Sequence, residues 1–283
     1  IHPEEMPVSL QLFGSEPEVM AETAARIEER PFAILDINMG CPMPKIANSG
    51  DGCGLMRTPE LAQKIVESVV KAVDAPVTVK CRLGWDKGSI NVLDFTKRME
   101  DNGAAMVAVH GRTKKQMYAE GIDFKTIENT VKAVGIPVIA NGDIWDGKSA
   151  KYMYDATGCD FVMVGRAARG NPFVFEEINA FMENKPYTPP TLEKRFEVLM
   201  EQVRLMVEYK ADHRAFLEAR KHTAWYMQGL KGAAELRRLA GAVCSFEDIE
   251  AVSIIDVLRR GGVEVITASM GEVLEVVSAH GIV

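Results

Sequence analysis

Residues 77–111, VTVKCRLGWDKGSINVLDFTKRMEDNGAAMVAVHG, hold the pattern on which the fold turns. An apolar run, VTVKCRLG (77–84), carries Lys80 and Arg82 toward its end, and a helix-like stretch over 91–103 follows. A second apolar run, AAMVAVHG (104–111), closes on His110, with Arg112 just beyond. Short β-rich runs alternating with helical stretches predict repeated βα units. Runs apolar nearly throughout suit parallel strands buried on both faces.

The pattern extends both ways. VSLQLFG (8–14), AILDINMG (33–40), PVIANGD (137–143) and DFVMVG (160–165) bring the runs to six, with helices expected near 16–30, 58–74, 123–134 and 146–157. Thr58-Pro59-Glu60 is a helix start, with proline at the first helical position. Polar groups again sit in these runs or at their ends: Gln11, then Asn38 and Cys41, Asn141 and Asp143, Gly165 and Arg166. Such groups meet only where successive strand ends converge, as on the C-terminal face of a (β/α)8 barrel. A doubly wound sheet concentrates its site at one switch point and usually shows a GxGxxG turn after its first strand, which this sequence lacks. The expected class is therefore α/β, a TIM barrel. Six runs in place of eight predict that its first two strands are missing, which would leave the strands at 8–14 and 160–165 with open edges.

KPYTPP (185–190) reads as a Pro-rich linker, and 191–240 as helical, with Leu199, Val203, Met206 and Val207 on one face. FEDIEAVSIIDVLRRGG (246–262) reads as a helix closed by glycine, and VEVITAS (263–269) as a strand. The expected organisation is a partial barrel over 1–184, an all-helical domain over 185–242 and a βα-type tail over 243–283.

The composition, 47% apolar and 26% charged in 283 residues, is that of an ordinary globular protein. No apolar run approaches the roughly 18 residues of a membrane span. IHPEEMP at the start has neither a basic nor an apolar signal region. Cysteines at 41, 53, 81, 159 and 244 form no CxxC pair, so neither a disulfide framework nor a metal site is expected, and a reducing cytoplasm fits best. A net charge of −7 argues at first against a nucleic-acid partner. Yet seven acids and two bases in 247–283 contribute −5 of it, and 191–240 holds ten Lys/Arg against seven Asp/Glu. Charge alone leaves an RNA partner and a plain solvated surface equally open.

The strongest chemical signal is Asp36-Ile37-Asn38-Met39-Gly40-Cys41-Pro42, followed by Lys45 and Ser49-Gly50-Asp51-Gly52-Cys53-Gly54. A cysteine on a tight Gly-Cys-Pro turn at a strand end faces the barrel mouth; the competing reading is a small buried thiol. A free thiol titrates at about 8.5, so near neutrality it is a proton donor rather than a thiolate nucleophile. Lys80 within an apolar strand is either a functional cation or a snorkelling lysine. His110 is either a site residue or a satisfied core histidine.

DINMGCPMPK, VKCRLG, VHGRT, IANGDI and VGRAARGNP, in this order and spacing, resemble the bacterial branch of the tRNA-dihydrouridine synthases over roughly residues 6–240. Glu218-Ala219-Arg220-Lys221-His222, Trp225-Tyr226 and Gly229-Leu230 resemble that family's RNA-facing helical domain. The resemblance implies FMN reduced by NADPH, hydride passing to C6 of a uracil flipped out of tRNA, and a cysteine, here Cys41, protonating C5. It carries cofactor binding to Gln11, Lys80, His110, Asn141, Gly142, Asp143, Gly165 and Arg166. Lys80 would set positive charge beside the flavin N1–C2=O edge, and the turns after the last two strands would build a phosphate site. Substrate binding falls to Asn38, Lys45, Arg82 and Arg112, with Arg220 and Lys221 on the helices; Trp225 and Tyr226 read equally as helix core or RNA contacts. The implied partner is tRNA, with no membrane and a monomeric state for the complete protein.

Two departures stand out. The family's first segment, with a Pro-Met turn beneath the flavin, has no counterpart. Residues 246–283 resemble the start of a ThiJ/PfpI-type protein, with Glu250 at that family's acidic position but no nucleophile, so no activity of that type is expected. The alternative functions are a flavin barrel reducing a free pyrimidine and an inactive RNA-binding fragment; the helical stretch 191–240 speaks against the first.

Overall fold

A computed structural model describes residues 1–119, 121–230 and 233–252. Six strands form one parallel sheet: β1 (Ser9–Leu12), β2 (Ile34–Met39), β3 (Val77–Arg82), β4 (Met106–His110), β5 (Val138–Asn141) and β6 (Phe161–Met163). Their spatial order is the chain order, β1 through β6, so there is no reversal and no switch point. Helices α1 (Pro17–Ile27), α2 (Pro44–Ala47), α3 (Pro59–Ala72), α4 (Val92–Asp101), α5 (Phe124–Ala133) and α6 (Gly147–Thr157) lie in the connections. α1 packs on α3, α3 on α4, α4 on α5 and α5 on α6, which makes one helical layer. A sheet wound in one direction with a single helical layer is barrel-type architecture. β1 and β6 stand at the two ends of the sheet.

The central strands are largely buried on both faces, as expected, but only one face is apolar throughout; side chains alternate with the period of two that a pleated strand imposes. Leu35, Ile37 and Met39 on β2, Val77, Val79 and Cys81 on β3, and Val107 and Val109 on β4 are buried. The intervening positions are polar in Asp36, Asn38, Thr78, Lys80, Arg82 and His110. Helices cover only one face of a singly wound sheet, so only that face must be apolar. Ile65, Val66 and Val69 on α3, Phe95 and Met99 on α4 and Ile127 on α5 supply the buried helix surface.

Helix ends follow local chemistry. Asp123 accepts from the Thr126 amide at the start of α5, and Asp146 and Ser149 form a reciprocal capping box on α6. Gly158 closes α6 in the left-handed conformation, φ 66°.

The chain divides into two compact units, Ile1–Gly165 and Arg166–Val283. The second contains a 3-10 turn at Arg166–Ala168, then α7 (Val174–Met182), α8 (Leu192–Tyr209), α9 (Asp212–Tyr226), α10 (Ala233–Ala240) and a helical stretch at 246–252. This division falls earlier than the expected boundary at 184/185. The segment before α7 lies against the end of α9: a Cβ on Gly170, φ 64°, would stand 2.4 Å from the Trp225 carbonyl carbon.

Helical order continues past 242, where the tail was expected to begin. Asp248 accepts from the amides of Cys244 and Ser245, and Ser245 accepts from the Asp248 amide, so the helical stretch is capped. Its Ile249, Ala251 and Val252 join Leu236, Leu239 and Val243 in the core of the helical unit. The rest of the expected helix to 262 and the strand expected at 263–269 lie outside the described residues. No helix of the described residues is long and apolar enough to cross a membrane.

Candidate active site at the strand ends

Parallel register sets the polar positions side by side. Gln11 pairs with Asp36 and Asp36 with Thr78; Asn38 pairs with Lys80; Arg82 pairs with His110 and His110 with Asn141. Paired residues point to the same face, so these side chains share the face opposite the helices.

A relay of hydrogen bonds crosses that face and ends at Cys41. Thr78 Oγ1 donates to Asp36 Oδ1 (2.7 Å), and Gln11 Nε2 donates to Asp36 Oδ2 (2.6 Å). Asn38 Nδ2 donates to Gln11 Oε1 (2.8 Å), while Asn38 Oδ1 accepts from the amides of Gly40 (3.1 Å) and Cys41 (2.9 Å). The Asn38 oxygen therefore holds the turn that presents the cysteine. Burial raises the Asp36 carboxyl above its ordinary range, against the pull of Thr78 and Gln11.

The turn is tied from its other side. The Cys53 amide donates to the Cys41 carbonyl (3.1 Å). A Cβ on Gly52, φ 52°, would stand 2.9 Å from Cys41 Cβ, so only glycine fits there. Cys41 is half-buried, whereas Cys53 and Cys81 are buried. Burial pushes both of those thiols up to about 12, and they stay protonated and inert.

The cations differ in their commitments. Burial holds the Lys80 ammonium below its usual range, and that ammonium makes no hydrogen bond among the described residues. Arg82 is 2% exposed; its Nε donates to the Gly40 carbonyl (3.0 Å) and its Nη1 to the carbonyls of Thr113 (3.0 Å) and Met117 (2.9 Å). Its guanidinium also lies 5.8 Å from the Tyr118 ring centroid. Arg112, expected to contact substrate, is engaged within the protein. It is equally buried, donates to both Asp143 oxygens (3.0 and 2.5 Å) and reaches the Ala119 carbonyl (3.2 Å). A guanidinium closed on a carboxylate in this way serves as a brace. Asp143, expected to bind cofactor, is the other half of that brace, at φ 49°.

His110 is buried beside three cations. Burial, then Arg82, Lys80 and Arg112, push its pKa down to about 3, so the ring is neutral. Asn141 Nδ2 donates to the Met163 carbonyl (2.8 Å). Gly142, φ 132°, admits no side chain: a Cβ would meet Ile122 at 2.3 Å and His110 at 3.1 Å. Gly165 faces open space.

Other expected residues lie on other elements of the chain. Lys45 is exposed on α2. Within the helical unit, Arg166 opens the 3-10 turn, and Lys221 is exposed on α9. Arg220 is committed to the Val243 carbonyl (2.8 Å) and to Cys244 Sγ (3.2 Å). Tyr226 is core, its hydroxyl on Gln202 Oε1 (3.3 Å); Trp225 is half-buried, with Arg169 over its ring at 5.3 Å. Sequence reasoning missed Asp36 and Thr78 as members of the relay. The strict alternation of β2, Leu35-Asp36-Ile37-Asn38-Met39, was the signal that would have found Asp36.

The family model described as Dihydrouridine synthase (Dus) matches residues 1–260, and so runs into the stretch 246–283. A probable tRNA-dihydrouridine synthase 1 of Synechocystis sp. is 43% identical over 238 residues, 84% of this chain and 67% of that protein. A tRNA-dihydrouridine synthase B of Vibrio vulnificus is 39% identical over 236 residues, 83% of this chain and 73% of that protein. Among solved structures, an old yellow enzyme homologue from Zymomonas mobilis aligns at a TM-score of 0.43 and 15% identity, over 62% of this chain and 53% of that one.

Proposed function

The chain belongs to the dihydrouridine synthase family, and from that premise we propose that it reduces the C5–C6 double bond of uridine in tRNA, in the cytoplasm, with FMN as cofactor and NADPH as reductant. The observation that carries this reading is the Cys41 turn, held by Asn38 on the strand-end face that also bears Lys80, His110 and Asn141.

The residues present suit a flavin. Lys80 offers a half-buried cation that lacks a hydrogen-bond acceptor, which complements the electron-rich N1–C2=O edge. Gly165 leaves backbone bare after β6, as a bound phosphate requires. When bound, FMN supplies the hydride that C6 receives.

The chain's own residues supply position and a proton. Cys41 holds a proton at Sγ for delivery to C5. Asn38 keeps Cys41 in place and has one Nδ2 hydrogen left for a base edge. Neutral His110 donates or accepts a hydrogen bond without adding charge, and Arg112 closed on Asp143 braces the loops beside it. Gln11, with one donor and one acceptor site still open, stays available to a flavin edge. On the helical unit, Lys221 is an exposed cation offered to RNA.

The test uses purified chain, FMN, NADPH and unmodified tRNA. The expected result is a flavin absorption band and dihydrouridine in the tRNA. Cys41→Ala should leave flavin reduction intact and slow uridine reduction by about 10²–10⁴-fold. Full-rate uridine reduction by that variant would remove Cys41 from its role. Preference for free uracil over tRNA in a competition assay would replace the RNA reading with a free-pyrimidine reductase.

A further inference from the structure

Three loops at the carboxyl ends of β2, β3 and β4 bring together residues that the site above does not use. Arg57 ends the 3-10 turn that follows the Cys41 turn, Trp85 follows β3, and Lys114 follows β4. The Arg57 guanidinium lies 4.7 Å from the Trp85 ring centroid, and Lys114 Nζ lies 4.3 Å from it. Both distances are within reach of a cation–π interaction.

The loops are laced by backbone and side-chain hydrogen bonds. The Lys114 amide donates to the Gly84 carbonyl (2.9 Å), and the Lys115 amide to the Trp85 carbonyl (3.0 Å). Asn91 Nδ2 donates to the Met56 carbonyl (2.7 Å), next to Arg57. Cys53 Sγ reaches the Gly84 carbonyl at 3.9 Å. The two cations are thus mounted on a fixed platform, and less side-chain freedom is lost when a ligand is bound.

Their charge is uncompensated. Neither Arg57 nor Lys114 meets a carboxylate among the described residues, and the nearby Asp86 is taken by Lys115 (2.7 Å) and Ser89 (2.8 Å). Two like charges on one ring, in a chain of net charge −7, form a local positive spot on the rim that also bears Cys41. Such a spot favours an anion, and an aromatic floor between cations suits a nucleic-acid strand.

We infer that Arg57 and Lys114, stacked on Trp85, form a clamp for the RNA phosphate backbone that flanks the uridine reacting at Cys41. The inference rests on the tRNA reading above and deepens it. Phosphate recognition of this kind carries no base information; it fixes the register of the strand, and so which nucleotide reaches the thiol.

The experiment compares the full chain with Arg57→Met and Lys114→Met, singly and together. Methionine keeps an unbranched apolar chain on the indole and removes the charge. tRNA affinity is measured across a salt series, together with KM and kcat for dihydrouridine formation and KM for NADPH in flavin reduction. The expected result is a higher KM for tRNA with kcat nearly unchanged, and a salt slope shallower by roughly 0.7–0.9 for each phosphate no longer neutralised. Arg57→Lys with Lys114→Arg should restore the slope. A slope equal to that of the parent, with or without a lower Tm, would reduce the cluster to packing and overturn the clamp. A rise in the KM for NADPH in place of that for tRNA would reassign it to the dinucleotide and also overturn it. If the parent chain neither binds tRNA nor forms dihydrouridine, the functional reading itself fails; if the parent works and only the variants are silent, the clamp alone fails.

Discussion

At the scale of the residue, Asn38 holds the turn that presents Cys41. Its single side-chain oxygen takes two consecutive amides, and its nitrogen is held by Gln11. Removing it frees the turn and keeps the thiol in the chain but no longer held in position. Asn38→Ala should therefore lower kcat for dihydrouridine formation on the order of 100-fold, the cost of ångström-scale misplacement, with little change in flavin reduction. Asn38→Asp keeps the acceptor oxygen and loses only the donor, and should fall between parent and alanine. Equal losses in the two variants, read from single-turnover rates, would show that the acceptor is not what holds Cys41. The same relay explains why Asp36 was hard to recognise: its partners Gln11 and Thr78 lie 25 and 42 residues away.

At the scale of the element, helix termini are stabilised locally and can be weakened locally. α6 begins with a complete box in which Asp146 accepts from the Ser149 amide (2.8 Å) and Ser149 Oγ accepts from the Asp146 amide (3.0 Å). These bonds hold Asp146 below the usual carboxylate range. Asp146→Ala should cost about 1 kcal/mol, the usual value of an N-cap, seen as a lower urea midpoint with an unchanged slope. Asp146→Ser should recover most of it. Pro59 at the start of α3 was legible in the sequence, because a helix start involves only neighbours within one turn.

At the scale of the molecule, burial of one imidazole makes stability depend on pH. His110 titrates near 6.5 when unfolded and at about 3 when folded, so the unfolded chain takes up its proton first. Its contribution is fully present above about 6.5 and is lost as pH falls toward 3, with a slope of at most about 1.4 kcal/mol per pH unit. Asp36, raised above 3.8, works in the opposite sense: its buried carboxyl favours the folded state when protonated and opposes it as pH rises past that value. Urea midpoints between pH 4.5 and 7 should rise with pH, and His110→Asn should flatten the rise; an equally steep rise in that variant would place the proton uptake elsewhere.

The amino-acid sequence by itself determined the succession of βα units, the polar strand ends, the Cys41 turn and the family, since strand and helix periodicities and short motifs are local properties of the chain. Only the tertiary structure decided what those polar groups do to one another. Arg112 and Asp143 lie on successive strand ends, and nothing in their spacing says that the guanidinium closes on the carboxylate. Arg57, Trp85 and Lys114 are separated by whole βα units and meet because parallel register stacks their loops on one rim. The helical stretch at 246–252 joined its unit for a related reason: Ile249 and Val252 found an apolar surface on α10 that no local pattern announces.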